Sequence, residues 1–376
     1  MKGPMHGSEN STSNSESTIR NPQLPEASEN ISSNPQSGIG NPQSLETSPL
    51  LEIADLRVYF HTDEGVLKAV DGVSLAIQPG ETLGLVGESG CGKSVTAFSI
   101  LKLLQSPPAE YAAGRILLQG EDLLTSSEKR IRRVRGNQIS MVFQEPMSSL
   151  NPILSIGDQI AEAIRAHRKI SKREARTLAT SMLRRVGIAA AETRYDEYPH
   201  QLSGGMKQRA MIAMALVCRP LLLIADEPTT ALDVTIQAQI LDLLRELQGE
   251  LGMSVLLITH DLGVVAETCD RVAVMYAGKI VESATIQDLF EKPKHPYTHG
   301  LFRSLPTLTQ NKGALAVIPG AVPSPLDFPS GCRFRTRCFL AQEVCNEEPP
   351  LRDVGGGHLA ACHFAEEVGE LPRGSG

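Results

Sequence analysis

The chain has 376 residues with a formal net charge of −7 at pH 7, and 21% of the residues are charged. Nucleic-acid-binding proteins typically have a strongly positive overall charge, and this chain does not, so its charge does not indicate that class. The longest apolar runs, such as LLLIA at 221–225 and SVLLI at 254–258, have the length of a strand, whereas a membrane-spanning helix needs about 20 apolar residues. The N-terminus lacks an apolar signal core, so we expect a globular protein of the cytosol, where disulfides seldom persist.

The first 48 residues are rich in Ser, Asn, Pro and Glu, contain no aromatic residue and repeat the tripeptide NPQ at 21, 34 and 41. Such a segment cannot bury enough apolar surface to offset the entropy of its chain. We therefore predict a disordered tail over 1–48, with no function indicated for it, and a second flexible tail over 367–376.

From residue 49 onwards, short apolar runs bounded by turn residues predict the strands of a buried, mostly parallel sheet. The runs are LEIADLRVYF (51–60), GVSLAI (72–77), ETLGLVG (81–87), QISMVF (138–143), LLLIAD (221–226), SVLLIT (254–259) and RVAVMY (271–276). The sequence therefore predicts an α/β domain over 49–290.

Between 150 and 200 the apolar period changes to that of a helix. One helix is indicated by apolar residues at Ile156, Ile160, Ala163 and Ile164. In the next helix, SKRE at 171–174 makes a capping box before a stripe of Leu178, Met182 and Val186, and Gly187 is well placed to end it. We predict a helical subdomain over about 145–205, inserted into the α/β domain.

GESGCGKS, at 87–94, follows the strand TLGLV and precedes the helical stretch VTAFSILKLL. This strand, G-x-x-x-x-G-K-S and helix arrangement is that of a P-loop, whose backbone N–H groups and helix N-terminus cradle phosphate oxygens. Lys93 would reach the β- and γ-phosphates of a nucleotide, Ser94 would bind Mg²⁺, and Cys91 serves as a small spacer. The predicted nucleotide contacts of this segment are Gly87, Ser89, Gly90, Cys91, Gly92, Lys93, Ser94 and Val95.

A P-loop enzyme needs carboxylates on a neighbouring strand to hold the metal ion and to activate water. LLLIADEP supplies them, because Asp226 and Glu227 come at the end of an apolar run. Asp226 would hold Mg²⁺, through water, and Glu227 would polarise the water that attacks the γ-phosphate. LLITHD is likewise an apolar run followed by polar residues. One of them, His260, would contact the γ-phosphate.

LSGGMKQR, at 202–209, resembles the signature sequence of ATP-binding-cassette (ABC) ATPases. Other elements of that family follow in order: Gln144 in MVFQEP, the strand end with Glu227, TTALD ending in Asp233, and LITHD. The resemblance covers about 50–365. It implies a P-loop fold with a mostly parallel core sheet, an antiparallel N-terminal β-subdomain and a helical subdomain, in which two cassettes sandwich two ATP molecules.

The family resemblance also implies roles for individual residues. Ser203, Gly204 and Gly205 would cap the γ-phosphate held by the partner cassette. Gln144 would contact Mg²⁺ or the attacking water. Phe60 matches the position whose aromatic ring stacks on adenine, although the family often has tyrosine there, and Asp233 would communicate across the dimer. Glu227 and His260 would act as the catalytic base and the γ-phosphate switch.

Three stretches resemble the cassettes of bacterial importers for oligopeptides, dipeptides and nickel: FQEPMSSLNP (143–152), HPYTHGLFRSLP (295–306) and the cysteine-bearing tail. LSGGM resembles the D-type member of the ATPase pair in such importers. The resemblance implies a peripheral ATPase on the cytoplasmic face of the inner membrane. Its partners would be two permeases, a second ABC ATPase, either a copy or a distinct chain, and indirectly an external peptide-binding protein.

Two alternatives are weaker. A soluble ABC ATPase acting on nucleic acid or on ribosomes would have a long coiled coil or a second cassette, but the 92–203 interval is short and only one set of motifs is present. An exporter ATPase is disfavoured by NPILSIG at 151–157 and by the tail.

Four of the seven cysteines, Cys332, Cys338, Cys345 and Cys362, lie in the C-terminal extension predicted over 291–366, at spacings of x₅, x₆ and x₁₆. These spacings fit neither common zinc modules nor common ferredoxins. Disulfides and incidental cysteines are alternatives, but a small segment poor in large apolar residues needs a staple, so we predict a metal site.

The subfamily resemblance implies a [4Fe–4S] cluster, with zinc as the alternative. His358 and His363 lie nearby in the sequence as alternate ligands, but we interpret them as groups that surround the site or lie on the surface. Because these cysteines are far in sequence from every ATP residue, we predict a structural role for the site. Cys218 and Cys269 lie in apolar context and are predicted to be packing residues.

Overall fold

The computed structural model describes residues 48–144, 149–229, 233–303 and 318–369. Residues 1–47 of the predicted N-terminal tail and all of 370–376 therefore lie outside the described residues. Parts of three motifs lie outside them as well: 145–148 after Gln144, 230–232 in TTALD, and 304–306 at the end of HPYTHGLFRSLP. No helix in the described part of the chain is long and apolar enough to span a membrane.

An antiparallel sheet of four strands lies at the N-terminal end of the described chain. Its strands are β1 (Leu51–Thr62), β2 (Gly65–Ile77), β4 (Ala109–Leu118) and β5 (Glu121–Asp122), in the order β2-β1-β4-β5. In β1 the buried residues Leu51, Ile53, Leu56 and Val58 alternate with partly buried ones on each side of an irregularity at residues 54–55, as in a strand with one covered face. The antiparallel β-subdomain implied by the family resemblance is confirmed.

The second sheet has eight strands in the order β11-β12-β10-β9-β3-β8-β7-β6. Their bounds are β3 (Thr82–Val86), β6 (Ile139–Val142), β7 (Leu222–Asp226), β8 (Ser254–Ile258), β9 (Arg271–Tyr276), β10 (Lys279–Thr285), β11 (Arg352–Asp353) and β12 (Leu359–Ala360). The pairs from β9 through β3, β8 and β7 to β6 are parallel, whereas β10, β11 and β12 pair antiparallel. Every residue of β3, β6, β7 and β8 is buried, which explains their continuous apolar runs.

The helices of the cassette are α1 (Lys93–Ile100), α2 (Glu128–Val134), α3 (Ile156–His167), α4 (Lys172–Arg185), α5 (Ala191–Arg194), α6 (Gly204–Leu216), α7 (Val234–Leu251), α8 (Leu262–Thr268), α9 (Ile286–Glu291) and α10 (Pro296–Arg303). The predicted capping box of α4 is present, because Ser171 and Glu174 bond each other's backbone N–H groups. The predicted burial of Leu178 is wrong: its side chain is 41% exposed, and α4 instead buries Ala175, Ala179 and Leu183.

The C-terminal extension joins the core sheet through a short strand. Glu282 and Ser283 of β10 pair with Ala360 and Leu359 of β12, and β11 pairs with β12. A 3₁₀ turn (Glu343–Asn346) and α11 (Ala365–Gly369) complete the extension. The described residues from 48 onwards belong to one compact unit, so the extension is packed on the cassette as part of the same structure.

Candidate nucleotide-binding site

The P-loop joins the end of β3 to the start of α1, as the sequence predicts. Gly87 and Gly92 have φ angles of 154° and 107°. A Cβ atom at Gly87 would lie 2.1 Å from the carbonyl oxygen of Met275, and one at Gly92 would lie 2.4 Å from that of Ala69. Both positions therefore require glycine, since any side chain would collide with the backbone of a neighbouring strand.

Lys93 and Ser94 start α1 at the mouth of this loop. The buried Lys93 ammonium donates hydrogen bonds to the carbonyl oxygens of Gly87 and Glu88, at 2.7 and 3.0 Å. The Ser94 hydroxyl donates to a carboxylate oxygen of Asp226 at 3.3 Å. Burial raises the pKa of Asp226, which is 3% exposed, above its ordinary value. A hydroxyl beside a carboxylate offers the oxygen ligands that Mg²⁺ prefers, so these two residues fit a magnesium site.

The three predicted catalytic residues come together at the ends of three neighbouring strands. Gln144 follows β6, Glu227 follows β7 and His260 follows β8. One carboxylate oxygen of Glu227 accepts a hydrogen bond from the Gln144 amide at 2.8 Å, and the other lies 3.2 Å from Nδ1 of His260. Because the carboxyl ends of parallel strands share one edge of the sheet, residues far apart in sequence meet beside the P-loop.

The signature segment begins α6. The Ser203 hydroxyl accepts a hydrogen bond from the Met206 N–H and caps the helix, while Ser203 and Gly204 are exposed. A Cβ atom at Gly205 would lie 3.2 Å from the side chain of Ile236 in α7. The start of α6 is thus a small, open surface with free room for an anion at its positive end.

Gln208 is a residue of this segment that sequence reasoning did not single out. It is 1% exposed, and its amide donates a hydrogen bond to the carbonyl oxygen of Pro228, directly after Glu227. The signature helix is therefore tied to the loop that carries the carboxylate. Its neighbours Lys207 and Arg209 are also polar, so no signal in the sequence singled out Gln208.

Two predicted site residues, Phe60 and Asp233, make no contact with Gln144, Glu227 or His260 among the described residues. Phe60 lies near the end of β1 and is partly buried against the apolar core beneath the antiparallel sheet, which includes Leu56 and Val58. Asp233 caps α7, because its carboxylate accepts a hydrogen bond from the Ile236 N–H at 2.9 Å. Their roles toward adenine and across a dimer stay predictions.

Comparison with known proteins identifies the family. Residues 70–230 match the family described as ABC transporter, and residues 281–345 match the oligopeptide/dipeptide transporter C-terminal region. A protein of Sinorhizobium fredii, named as a probable peptide ABC transporter ATP-binding protein, is 53% identical over 86% of this chain and 97% of its own length. The chain belongs to the ABC transporter ATP-binding protein family.

A further relative of this ABC ATPase, from Brucella melitensis and named for peptide import and ATP binding, is 52% identical over 86% of this chain and 99% of its own. Among solved structures, an ATP-binding cassette dimer in a post-hydrolysis state with ADP and phosphate matches with a TM-score of 0.57 and 26% identity, over 63% of this chain and 98% of its own. The cbiO1 subunit of a Clostridium perfringens ABC transporter matches with a TM-score of 0.55 and 31% identity, over 64% and 90%.

The cysteines of this ABC ATPase divide as predicted between core and extension. Cys91, Cys218 and Cys269 are buried in the core clusters. Burial raises the pKa of Cys269 to about 12, as expected for an inert packing thiol.

The other four cysteines line one small cavity of about 10 Å³: Cys332, Cys338, Cys345 and Cys362. Burial raises the pKa of Cys338 to about 11 and that of Cys362 to about 12. Within the described residues, however, no group of three or more His, Cys, Asp or Glu side chains is placed to hold a metal ion. His363 also lines the cavity, whereas His358 instead contacts Glu282. The thiols thus share one space without forming a compact set of ligands for one ion.

The extension also reaches the nucleotide site, which sequence reasoning did not predict. Both terminal nitrogens of Arg337 donate to the carboxylate of Glu88 in the P-loop, at 2.9 and 3.2 Å. Cys338 is the next residue along the chain. Distance in sequence was therefore a poor guide to how far the cysteine segment lies from the ATP residues.

Proposed function

We propose that this ATPase is the energy-supplying subunit of a peptide importer and the D-type member of an ATPase pair. The match of 281–345 to the oligopeptide/dipeptide transporter C-terminal region carries the proposal, because that region is what distinguishes the chain from cassettes in general. The names of the relatives from Sinorhizobium and Brucella, which refer to peptide transport and import, support it.

In the proposed hydrolysis, Glu227 accepts a proton from the water that attacks the γ-phosphate. The contacts with Gln144 and His260 hold both of its oxygens, so the carboxylate is oriented before substrate binds. His260, whose side chain is 66% exposed, can turn toward the γ-phosphate. Lys93 exchanges its two P-loop carbonyl partners for phosphate oxygens.

The remaining site residues complete the nucleotide pocket in this proposal. Ser94 and Asp226, with Gln144, would hold Mg²⁺, which neutralises charge on the phosphates. The P-loop residues from Gly87 to Val95 surround the phosphates, and Phe60 stacks on adenine. A second cassette supplies its own Ser203, Gly204, Gly205 and Asp233 to the sandwich, and the exposed start of α6 supports this arrangement.

The proposed partners in the membrane are two permeases, on the cytoplasmic face of the inner membrane, with a peptide-binding protein acting on the outer side. Three apolar side chains near Gln144 support a docking surface: Ile153 is 77% exposed, and Phe143 and Leu154 are each 37% exposed. Exposed apolar groups in one short segment are typical of a surface that a partner covers.

For the cavity of the four cysteines, we propose an iron–sulfur cluster. The lining of one small cavity by all four thiols supports a shared metal centre there, and zinc is the alternative to the cluster. When bound, the cluster would staple the small extension. Iron, sulfide and zinc are measured after anaerobic purification, with Cys345→Ala as the variant and Cys218→Ala as the matched control. Iron and sulfide lost only in Cys345→Ala support the cluster, whereas a folded wild-type chain without either overturns it.

The importer role is tested in cells of the source organism that lack this chain. Complementation with the wild type is expected to restore uptake of a labelled peptide, and the Glu227→Gln variant is expected to abolish it by slowing hydrolysis at least 100-fold. Glu246→Gln, an exposed change on α7, is the control. Purification from native membranes should recover two multi-span proteins and a second ATPase. Normal peptide uptake in cells without this chain would contradict the proposal. Recovery of ribosomal proteins in place of membrane proteins would also contradict it.

A further inference from the structure

Arg337 and Glu88 form an ion pair between the extension and the P-loop. The Arg337 side chain is 5% exposed and binds the carboxylate through two nitrogens, at 2.9 and 3.2 Å. Its Nε donates to the carbonyl oxygen of Pro319, at 3.0 Å. A guanidinium held on three nitrogens has one orientation, so it fixes the position of the carboxylate that it binds.

The backbone of Glu88 is also held from outside the P-loop. Its N–H donates a hydrogen bond to the hydroxyl of Tyr297 at 2.9 Å. The Tyr297 ring lies against Tyr276 and Phe334, with ring centroids 4.7 and 5.5 Å away. Phe334 belongs to the extension and is 2% exposed, so the aromatic layer is shared between the extension and the cassette.

A second arginine holds the other side of the loop. Arg333 pairs with Asp71 of β2 and donates to the carbonyl oxygen of Ala277, and both paired side chains are 9% exposed. The N–H of Gly278, the next residue, donates to the carbonyl oxygen of Cys91 in the P-loop at 2.9 Å. The segment 332–338 therefore touches Glu88 directly and reaches Cys91 through a backbone turn.

We propose that the segment 332–338 is a clip that positions the P-loop for nucleotide, with Arg337 as its positioning residue. Without nucleotide, Lys93 helps to hold the loop by bonding the carbonyl oxygens of Gly87 and Glu88. When Lys93 turns to phosphate, those bonds are lost, and the clip keeps Glu88 in place. Cys332 and Cys338 lie at the two ends of this segment, so the cysteine cavity adjoins the clip.

The experiment measures the Kd of a fluorescent ATP analogue, the KM for ATP and kcat in purified full-length chain. Arg337→Gln is expected to raise Kd and KM roughly ten-fold, within the range usual for coupled sites, and to leave kcat within about two-fold. Arg337→Lys keeps the charge but loses the two-pronged contact, so it should recover only part of the affinity. The double variant Arg337→Gln with Glu88→Gln should have a Kd no higher than that of whichever single variant has the higher Kd.

Arg335→Gln is the matched control. Arg335 lies between the two clip arginines, but its side chain donates to Ser330 and Asn346 of the extension and, among the described residues, bonds no residue of the cassette. It should leave Kd unchanged. Thermal unfolding of each variant separates lost affinity from lost fold. Unchanged Kd in a folded Arg337→Gln chain, additive effects of Arg337→Gln and Glu88→Gln, or an equal effect of Arg335→Gln would each overturn the clip. The readout is nucleotide binding, so the outcome does not depend on which solute the transporter carries.

Discussion

Glu282 and His358 are in contact at the junction of cassette and extension, with 2.7 Å between a carboxylate oxygen and Nε2 of the imidazole. Glu282 lies in β10 and has no exposed surface. Its two oxygens also accept hydrogen bonds from the N–H groups of Lys294 and His295, at 2.6 and 2.9 Å. One carboxylate thus joins the core sheet, the start of α10 and the extension.

Replacing this carboxylate should destabilise the whole chain. Glu282→Gln leaves an amide where three donors converge, so we expect the free energy of unfolding to fall by about 3 kcal/mol, as when one partner of a buried pair is removed. Denaturant unfolding measures the change. Glu348→Gln is the control, because its ion pair with Lys279 is exposed and should contribute less than about 1 kcal/mol. Equal effects of both variants would contradict a special role for the buried carboxylate.

The stability of the chain should depend on pH through His295. This residue is 1% exposed, its Nδ1 accepts a hydrogen bond from the Tyr297 N–H, and burial lowers its pKa to about 3. Below the ordinary pKa of 6.5 the unfolded chain binds a proton here that the folded chain does not. The free energy of unfolding therefore falls with falling pH, by up to about 1.4 kcal/mol per pH unit from this group.

His295→Asn tests this dependence, because its side-chain oxygen can accept the same Tyr297 hydrogen bond. The variant should show a shallower loss of stability between pH 6.5 and pH 5, while the exposed His200→Asn should follow the wild type. Denaturant unfolding at several pH values gives the slopes. Parallel curves for the wild type and His295→Asn would show that another group carries the acid sensitivity.

The Asp226 carboxylate should lower the stability of the folded chain, although ATP hydrolysis requires it. Burial raises its carboxyl pKa, so between its ordinary value and the raised one the folded chain holds a proton that the unfolded chain lacks. Stability therefore falls as pH rises through that window and stays lower above it. Asp226→Asn should raise the free energy of unfolding of nucleotide-free protein at pH 7.5. It should also slow Mg²⁺-dependent ATP hydrolysis at least 100-fold.

The control for this prediction is Asp242→Asn, at a side chain that is 70% exposed. It should change neither stability nor hydrolysis. A loss of stability in Asp226→Asn would mean that the hydrogen bond with Ser94 outweighs the desolvation of the carboxylate.

The parts of the structure that could be predicted are those whose cause is local. The P-loop follows from glycines at fixed spacing after a buried strand, and the cluster of Gln144, Glu227 and His260 follows because parallel strands end at one edge. The family resemblance assigned their roles before any geometry was known. The capping box of Ser171 and Glu174 needs only four consecutive residues.

The parts that could not be predicted depend on contacts between distant segments. Arg337 and Glu88 are 249 residues apart, and neither has a neighbour pattern that indicates a partner. Strand β12 has two residues, too few to show any alternation. Leu178 fits the helical period, but it lies outside the face that α4 buries, which includes Ala175, Ala179 and Leu183.

Replacing a P-loop glycine with alanine should destabilise the chain more at Gly92 than at Gly90. Gly90 and Gly92 both have positive φ angles, of 78° and 107°, but a Cβ atom at Gly90 would meet nothing within 4 Å. At Gly92 it would lie 2.4 Å from the backbone oxygen of Ala69 and 2.6 Å from the side chain of Met275. Gly90→Ala should therefore cost about 1 kcal/mol of stability, from the left-handed backbone alone.

Gly92→Ala adds a collision with a strand that cannot move without breaking its pairing, so its cost should exceed that of Gly90→Ala by about 2 kcal/mol. Denaturant unfolding without nucleotide compares the two variants, which carry the same added methyl group two residues apart. The difference in unfolding free energy between the two variants should be the same when Arg337→Gln is also present, because the collision involves β2 and not the extension. Equal costs for the two alanines would show that backbone strain, and not the close approach of Ala69, is what requires glycine at the start of α1.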